Sequence, residues 1–187
     1  MRQLEQEVLR SPARNRRANS RYTTALRSNF LRSTSLITRI SLAGVPTQRS
    51  DVFKDFPTLK LIIPHGGGAV PFHWGRFRGI ALDNKKPEID QIMANNIFFD
   101  TCVYHQPGID LLTKVVPADN ILFASEMVGA VKGIDPRTGN YFDDTKRYVD
   151  ATPNLSAADK QKVFEGNAFK VYPRLKAQIE KQARGNG

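Results

Sequence analysis

The chain has 187 residues, with 28 Lys and Arg against 18 Asp and Glu for a formal charge of +10, 40% hydrophobic residues and one cysteine. That length suits one domain and falls short of the about 250 residues that a complete α/β barrel takes. No apolar run reaches the roughly 18 residues of a membrane helix, and Cys102 alone forms no internal disulfide, so the expectation is a soluble protein of a reducing, cytoplasmic compartment.

Residues 1–50 hold ten Arg, no Lys and two acids, a net charge of +8, together with seven of the nine serines. From Asp51 onward 18 basic residues face 16 acidic ones, and Lys outnumbers Arg 12 to 6. Two parts follow, an Arg/Ser-rich segment 1–50 and a domain 51–187. The composition of the first part fits an organelle transit peptide, an arm that neutralises nucleic-acid phosphates, or a poorly ordered stretch not native to the remainder, such as translation from a wrong start or frame. The last reading is preferred. Nucleic acid ranks lowest, because Tyr22 and Phe30 are the only aromatics there for base stacking. Leu31 to Leu42 has the pattern of a short helix.

Beyond the boundary, short apolar runs alternate with longer helical stretches. Strands are expected at Leu59 to Ile63, bracketed by Pro57 and Pro64, at Ile97 to Phe99 after Asn95 and Asn96, and at Ile121 to Ala124 after Pro117, Asp119 and Asn120. Their continuous apolar character suits a parallel sheet buried on both faces. Pro87 to Met93 and Ile109 to Val116 are long enough for crossover helices, giving β/α repetition. Ser156 and Asp159 resemble a capping box, opening a helix at Ala157 that should stop before a left-handed Gly166. Asn167 should then cap a further helix that bends near Pro173.

Candidate chemistry sits where each strand ends. Ile63 leads into Pro64, His65 and Gly66 to Gly68; Phe99 leads into Asp100 and Thr101; Ala124 leads into Ser125 and Glu126. Strand ends of parallel β/α folds converge on one face, so an imidazole and two carboxylates are expected to meet there, as metal ligands or as acid/base groups. Each has a plainer reading. His65 could close a turn, Asp100 could accept hydrogen bonds from nearby backbone, and His73 and His105 could be rim or surface residues. The triple glycine allows close approach by a ligand or another backbone.

Pro64-His65-Gly66-Gly67-Gly68, Pro71-Phe72-His73-Trp74-Gly75-Arg76, Phe98-Phe99-Asp100-Thr101, Leu122-Phe123-Ala124-Ser125-Glu126 and Glu165-Gly166-Asn167-Ala168 together resemble the decarboxylase-like, amidohydrolase-related branch of the amidohydrolase superfamily. Within that branch, Glu126 in a place where most members carry Asp, with Thr101 to Gly108 and Gly133 to Gly139, looks most like the 4-oxalomesaconate hydratases. The resemblance runs from about Asp51 to Arg174. It implies a zinc-dependent (β/α)8 TIM barrel of which this α/β chain supplies the C-terminal part, about strands 6 to 8 with their helices. It also implies that Glu126 approaches the metal and its water or substrate as ligand or acid/base group, that His65 shuttles protons, and that Arg76 reaches a substrate carboxylate across a homodimer interface. Arg78 is a weaker second cation and His105 a further substrate contact, while Gly166 and Asn167 belong to a structural signature.

The family's opening H-x-H pair and a later zinc-binding histidine have no counterpart, since no histidine precedes His65. The expectation is therefore a fragment with exposed sheet edges and apolar surface, and with either poor solubility or dependence on a partner. For the intact enzyme the resemblance implies reversible hydration of a small unsaturated tricarboxylate in protocatechuate 4,5-cleavage, a step of aromatic-compound catabolism. Alternatives are a carboxy-lyase of the aminocarboxymuconate semialdehyde type or a hydrolase, an inactive fragment, and, last, a nucleic-acid-binding protein. No membrane partner is expected.

Overall fold

Three apolar runs pair as a parallel sheet in the order β1 (Leu61–Ile63), β2 (Ile97–Asp100), β3 (Ile121–Leu122). The structure is a computed structural model that describes residues 52–93, 96–126 and 131–185. Segment 1–50 and the helix expected at 31–42 lie outside the described residues.

In chain order, α1 (Val52–Asp55) precedes β1; α2 (Trp74–Asp83) and α3 (Ile89–Met93) cross from β1 to β2; and α4 (Gln106–Val115) crosses from β2 to β3. After β3 come α5 (Thr145–Ala151), α6 (Ala157–Gln161), a π-helical turn over Lys162–Gly166, α7 (Asn167–Val171) and α8 (Pro173–Gly185). None of the helices among the described residues is long and apolar enough to cross a membrane. Sequential parallel strands joined by helical crossovers are the β/α repetition expected.

The register pairs Ile62 with Phe98 and Phe99 with Ile121. The asparagines that precede the strands help to fix it. The Asn96 side chain donates to the carbonyls of Leu59 (2.7 Å) and Pro57 (2.9 Å), and that of Asn120 donates to Ile97 O at 2.8 Å. All four residues of β2 are buried. Ile97 and Phe99 join the main core with Ile63, Met93, Ile109, Leu112, Ile121, Val149 and Val163, while Phe98, of opposite parity, is fully buried outside that cluster. The middle strand is thus covered on both faces, as its apolar sequence requires, while Leu61 and Ile62 of β1 are partly buried. On α4 the buried positions are Ile109, Leu112 and Thr113, one helical stripe. Each large aliphatic in it contributes about 1.5–3 kcal/mol through burial.

Two expectations at the C-terminal end need correction. The N-cap half of the capping box forms, with Asp159 N donating to Ser156 Oγ at 3.1 Å, while the Asp159 carboxylate accepts from the Ser156 hydroxyl (2.7 Å) in place of its backbone N–H. The helix does not stop at Gly166, whose φ of −59° and ψ of −39° are right-handed helical. It runs on through the π turn, which leaves Val163 O to accept Phe123 N–H at 2.9 Å. Asn167 caps nothing, being itself helical. Its fully buried side chain donates to Ala118 O (2.7 Å) and Ile121 O (2.8 Å), fastening the helix to β3. The bend near Pro173 is present, between α7 and α8 at a non-helical Tyr172. Strands β1 and β3 are shorter than their apolar runs, because Leu59 and Ala124 are held by side chains instead of strand partners.

Candidate functional site

His65 sits two residues beyond β1, after Pro64, in a 3-10 turn, and His65, Gly66, Gly67 and Gly68 all have positive φ (58°, 62°, 81°, 57°). For a histidine this left-handed conformation is uncommon and carries strain of about 1–2 kcal/mol, which the surroundings must impose. They do so through Asp100. Its carboxylate, at the end of β2, accepts Gly66 N–H and Cys102 N–H, each at 3.1 Å. Behind the turn, an added Cβ on Gly66 would stand 2.5 Å from Val103 Cγ2, and one on Gly67 would stand 2.4 Å from the Phe99 ring. The glycines are there for backbone conformation and close approach to the core.

The third strand end carries Glu126, and its approach is pinned by side chains. Beyond β3, Ala124 N–H donates to Thr101 Oγ1 (2.9 Å), while Ala124 O accepts from both Thr101 Oγ1 (3.0 Å) and Thr145 Oγ1 (2.8 Å). Thr101 and Thr145 are fully buried. The backbone that leads to Glu126 is therefore fixed without a strand partner, and the carboxylate reaches His65, with Nδ1 to Oε1 at 3.7 Å. The two side chains are 37% and 29% exposed, so both can meet a ligand. The other carboxylate oxygen, Oε2, accepts the phenol of Tyr104 at 2.7 Å.

Of the imidazole and two carboxylates expected to converge, the structure brings together His65 and Glu126. Asp100 turns instead to backbone donors, the plainer of its two readings. Burial pushes the Asp100 carboxyl above its ordinary range, against the pull of the Gly66 and Cys102 N–H groups and of His65. Burial and the neighbouring Asp100 and Glu126 push the Cys102 thiol up to about 12, which makes it a poor nucleophile. Burial and the bond to Glu126 raise the Tyr104 phenol as well, keeping it a proton-bearing donor. Arg76 lies exposed in the first turn of α2, and His105 lies exposed at the N-terminal end of α4 with its ring over Gly108. Arg78 is engaged elsewhere, its Nε and Nη2 each donating to the Glu88 carboxylate at 2.7 Å. Sequence reasoning took Thr101 and Tyr104 only as parts of motifs, gave them no role, and passed over Thr145, because no local pattern marks bonds made this far along the chain.

A catalytic zinc takes three protein ligands and a water. Among the described residues there is no cluster of three His, Cys, Asp or Glu side chains able to hold a metal ion, and His65 with Glu126 supplies two adjacent donors. The donor set present does not by itself fit the metal that the resemblance implies. What the pair can do unaided is exchange protons with a small ligand at the strand ends.

Residues 37–174 match a family model described as amidohydrolase. The chain is 59% identical over 145 residues to a 2-keto-4-carboxy-3-hexenedioate hydratase of Sphingobium sp., covering 78% of this chain and 42% of that protein. It is similar to the crystal structure of a 4-oxalomesaconate hydratase from Rhodopseudomonas palustris, with a TM-score of 0.78 and 58% identity over 81% of this chain and 46% of the other. A dihydroxybenzoic acid decarboxylase from Polaromonas sp., with bound manganese and an inhibitor, shares the fold at a TM-score of 0.52 and 18% identity, over 87% of this chain and 48% of its own. The chain spans under half the length of these relatives.

Proposed function

The chain belongs to the amidohydrolase family, and we propose that it serves a hydro-lyase reaction, the addition of water to 4-oxalomesaconate in protocatechuate 4,5-cleavage. The observation that carries this reading is the His65–Glu126 pair, brought together from beyond the ends of β1 and β3 on either side of β2, in a chain 59% identical to a hydratase of that substrate type. The substrate of that relative, a 2-keto-4-carboxy-3-hexenedioate, has a double bond conjugated to a ketone. Water therefore adds its oxygen at carbon 4 and a proton at carbon 3, through an enolate on the keto group. Glu126, steadied on Oε2, takes the proton from the attacking water; His65, facing Oε1, passes a proton to carbon 3. General acid–base assistance of this kind contributes typically 10²–10⁴-fold, so about that much should disappear with either side chain. The exposed Arg76 is the cation proposed for a substrate carboxylate, by the bidentate geometry of guanidinium, and His105 is a further proposed contact. The zinc expected from the resemblance would need donors beyond these two, so the roles here are those of the chain's own groups. A homodimer and a cytoplasmic setting complete the proposal.

The test is incubation of the purified chain with 4-oxalomesaconate, following loss of absorbance as conjugation is broken, beside Glu126→Gln and His65→Asn. Turnover that both variants abolish supports the hydratase. Release of carbon dioxide in its place would assign the carboxy-lyase reaction, and an inert wild-type chain refutes hydratase activity for this chain.

A further inference from the structure

A third side chain at the strand ends has no assigned role. Tyr104 lies between β2 and α4, and its phenol donates to Glu126 Oε2 at 2.7 Å while Glu126 Oε1 is directed to His65 Nδ1. One oxygen of the carboxylate is thereby occupied and the other presented. Tyr104 is itself anchored from α5. The Tyr148 phenol donates to Tyr104 O at 3.2 Å, Arg147 Nη2 donates to the Tyr148 oxygen at 2.5 Å, and the Arg147 guanidinium lies over the Tyr148 ring at 4.3 Å. Helix α5 is thus linked, through two tyrosines, to one oxygen of the reacting acid.

We propose that Tyr104 is a positioning residue for Glu126, holding its Oε2 so that Oε1 faces His65 and the substrate, with Tyr148 and Arg147 holding Tyr104 in place. The proposal rests on the reading of Glu126 as the reacting acid, and it names what directs that acid. A carboxylate 29% exposed on a side chain with three rotatable bonds would otherwise sample several orientations. A short phenol-to-carboxylate bond selects one, as hydrogen bonds to reacting or ligating carboxylates do in other enzymes. Phenylalanine would fill the same volume and lose only this bond.

The experiment uses the full chain labelled with carbon-13 at glutamate carboxyl carbons, the Glu126 signal being assigned by its loss in Glu126→Gln. In Tyr104→Phe that signal should move toward the position of the exposed Glu180, with the other glutamates unmoved. Tyr148→Phe leaves the Tyr104 phenol intact and frees only its backbone, so a smaller move in the same direction is expected; this variant also serves if Tyr104→Phe folds poorly. Hydratase kcat should fall roughly 10–100-fold in Tyr104→Phe with KM little changed. A role confined to stability would lower the folded fraction and leave the Glu126 signal of folded molecules in place, so an unmoved signal, or an undiminished kcat, overturns the proposal. If the wild-type chain shows no hydratase activity, the proposed function falls, and the carbon-13 comparison alone decides for or against Tyr104.

Discussion

Replacing Gly67 with alanine probes the turn that presents His65. The residue has a φ of 81°, where a side chain costs about 1–2 kcal/mol. Its new Cβ would stand 2.4 and 2.6 Å from two atoms of the Phe99 ring, which is 1% exposed in the middle strand and cannot yield without moving the core. Overpacking of that kind costs roughly 1–3 kcal/mol. Together the two effects amount to about 2–5 kcal/mol, a large part of the ~5–15 kcal/mol that holds a domain folded. The single tryptophan, Trp74, packs partly buried against the core and reports unfolding in urea. With a slope of about 2 kcal/mol per M, the midpoint should fall by roughly 1–2.5 M with the slope unchanged. Gly66→Ala should cost less, since its obstacle at 2.5 Å is the tip of Val103. Gly75→Ala lies in α2 with nothing within 4 Å and should stabilise by about 0.4–1 kcal/mol. A Gly67→Ala midpoint equal to that of wild type or of Gly75→Ala would refute the reasoning.

Asp100→Ala strands two buried N–H groups and should cost about 2–5 kcal/mol by urea unfolding, whereas Asp100→Asn, which keeps an acceptor, should cost less. The native Asp100 carboxyl lies above its unfolded value of 3.8, so its contribution is fully present below that pH and is lost as pH rises through the raised native value. In Asp100→Asn the stability-against-pH curve should flatten across that window; an unchanged slope would count against the assignment. Asn167→Ala leaves the carbonyls of Ala118 and Ile121 without their side-chain donor and should cost about 2–4 kcal/mol, read from the same urea transition. Cys102, buried and with its thiol held up to about 12, should resist iodoacetamide at pH 8 in the folded protein and react at once in urea, as followed by mass. Rapid labelling of the native chain would contradict its placement.

The three strands were legible because each centres on an apolar run set off by Pro, Asn or Asp and interrupted only by Lys60 in the first, and burial within a parallel sheet demands such runs. Their ends were less so. The runs Leu59 to Ile63 and Ile121 to Ala124 extend beyond the ladder because side chains of Asn96, Thr101 and Thr145 take over the backbone bonds there, and no local pattern announces a bond made across 20 or more residues. His65 and Glu126 were visible as polar residues at strand ends, where side chains of neighbouring strands must converge. The destination of Asp100 was open, since one carboxylate at a strand end can serve a ligand or a turn. Gly166 misled because glycine after a helical run favours a left-handed stop. Here the N–H of Phe123 needed an acceptor, and a π turn that frees Val163 O met that need inside a continuing helix. Tyr104 lay within the stretch Thr101 to Gly108 that carried the resemblance, but its role was not legible, because its bond to Glu126 depends on how the segment after β2 is laid against the next strand end.

The segment from Phe123 to Glu126 travels beyond the sheet on a few discrete attachments, namely Val163 O, Thr101, Thr145 and the Tyr104 phenol. A strand zipped to its neighbour can shift only as a unit, whereas attachments of this kind can be exchanged one at a time. Variation at those few positions offers a route by which evolution could tilt or retract the Glu126 carboxylate in small increments while the register of the sheet beneath it is left intact.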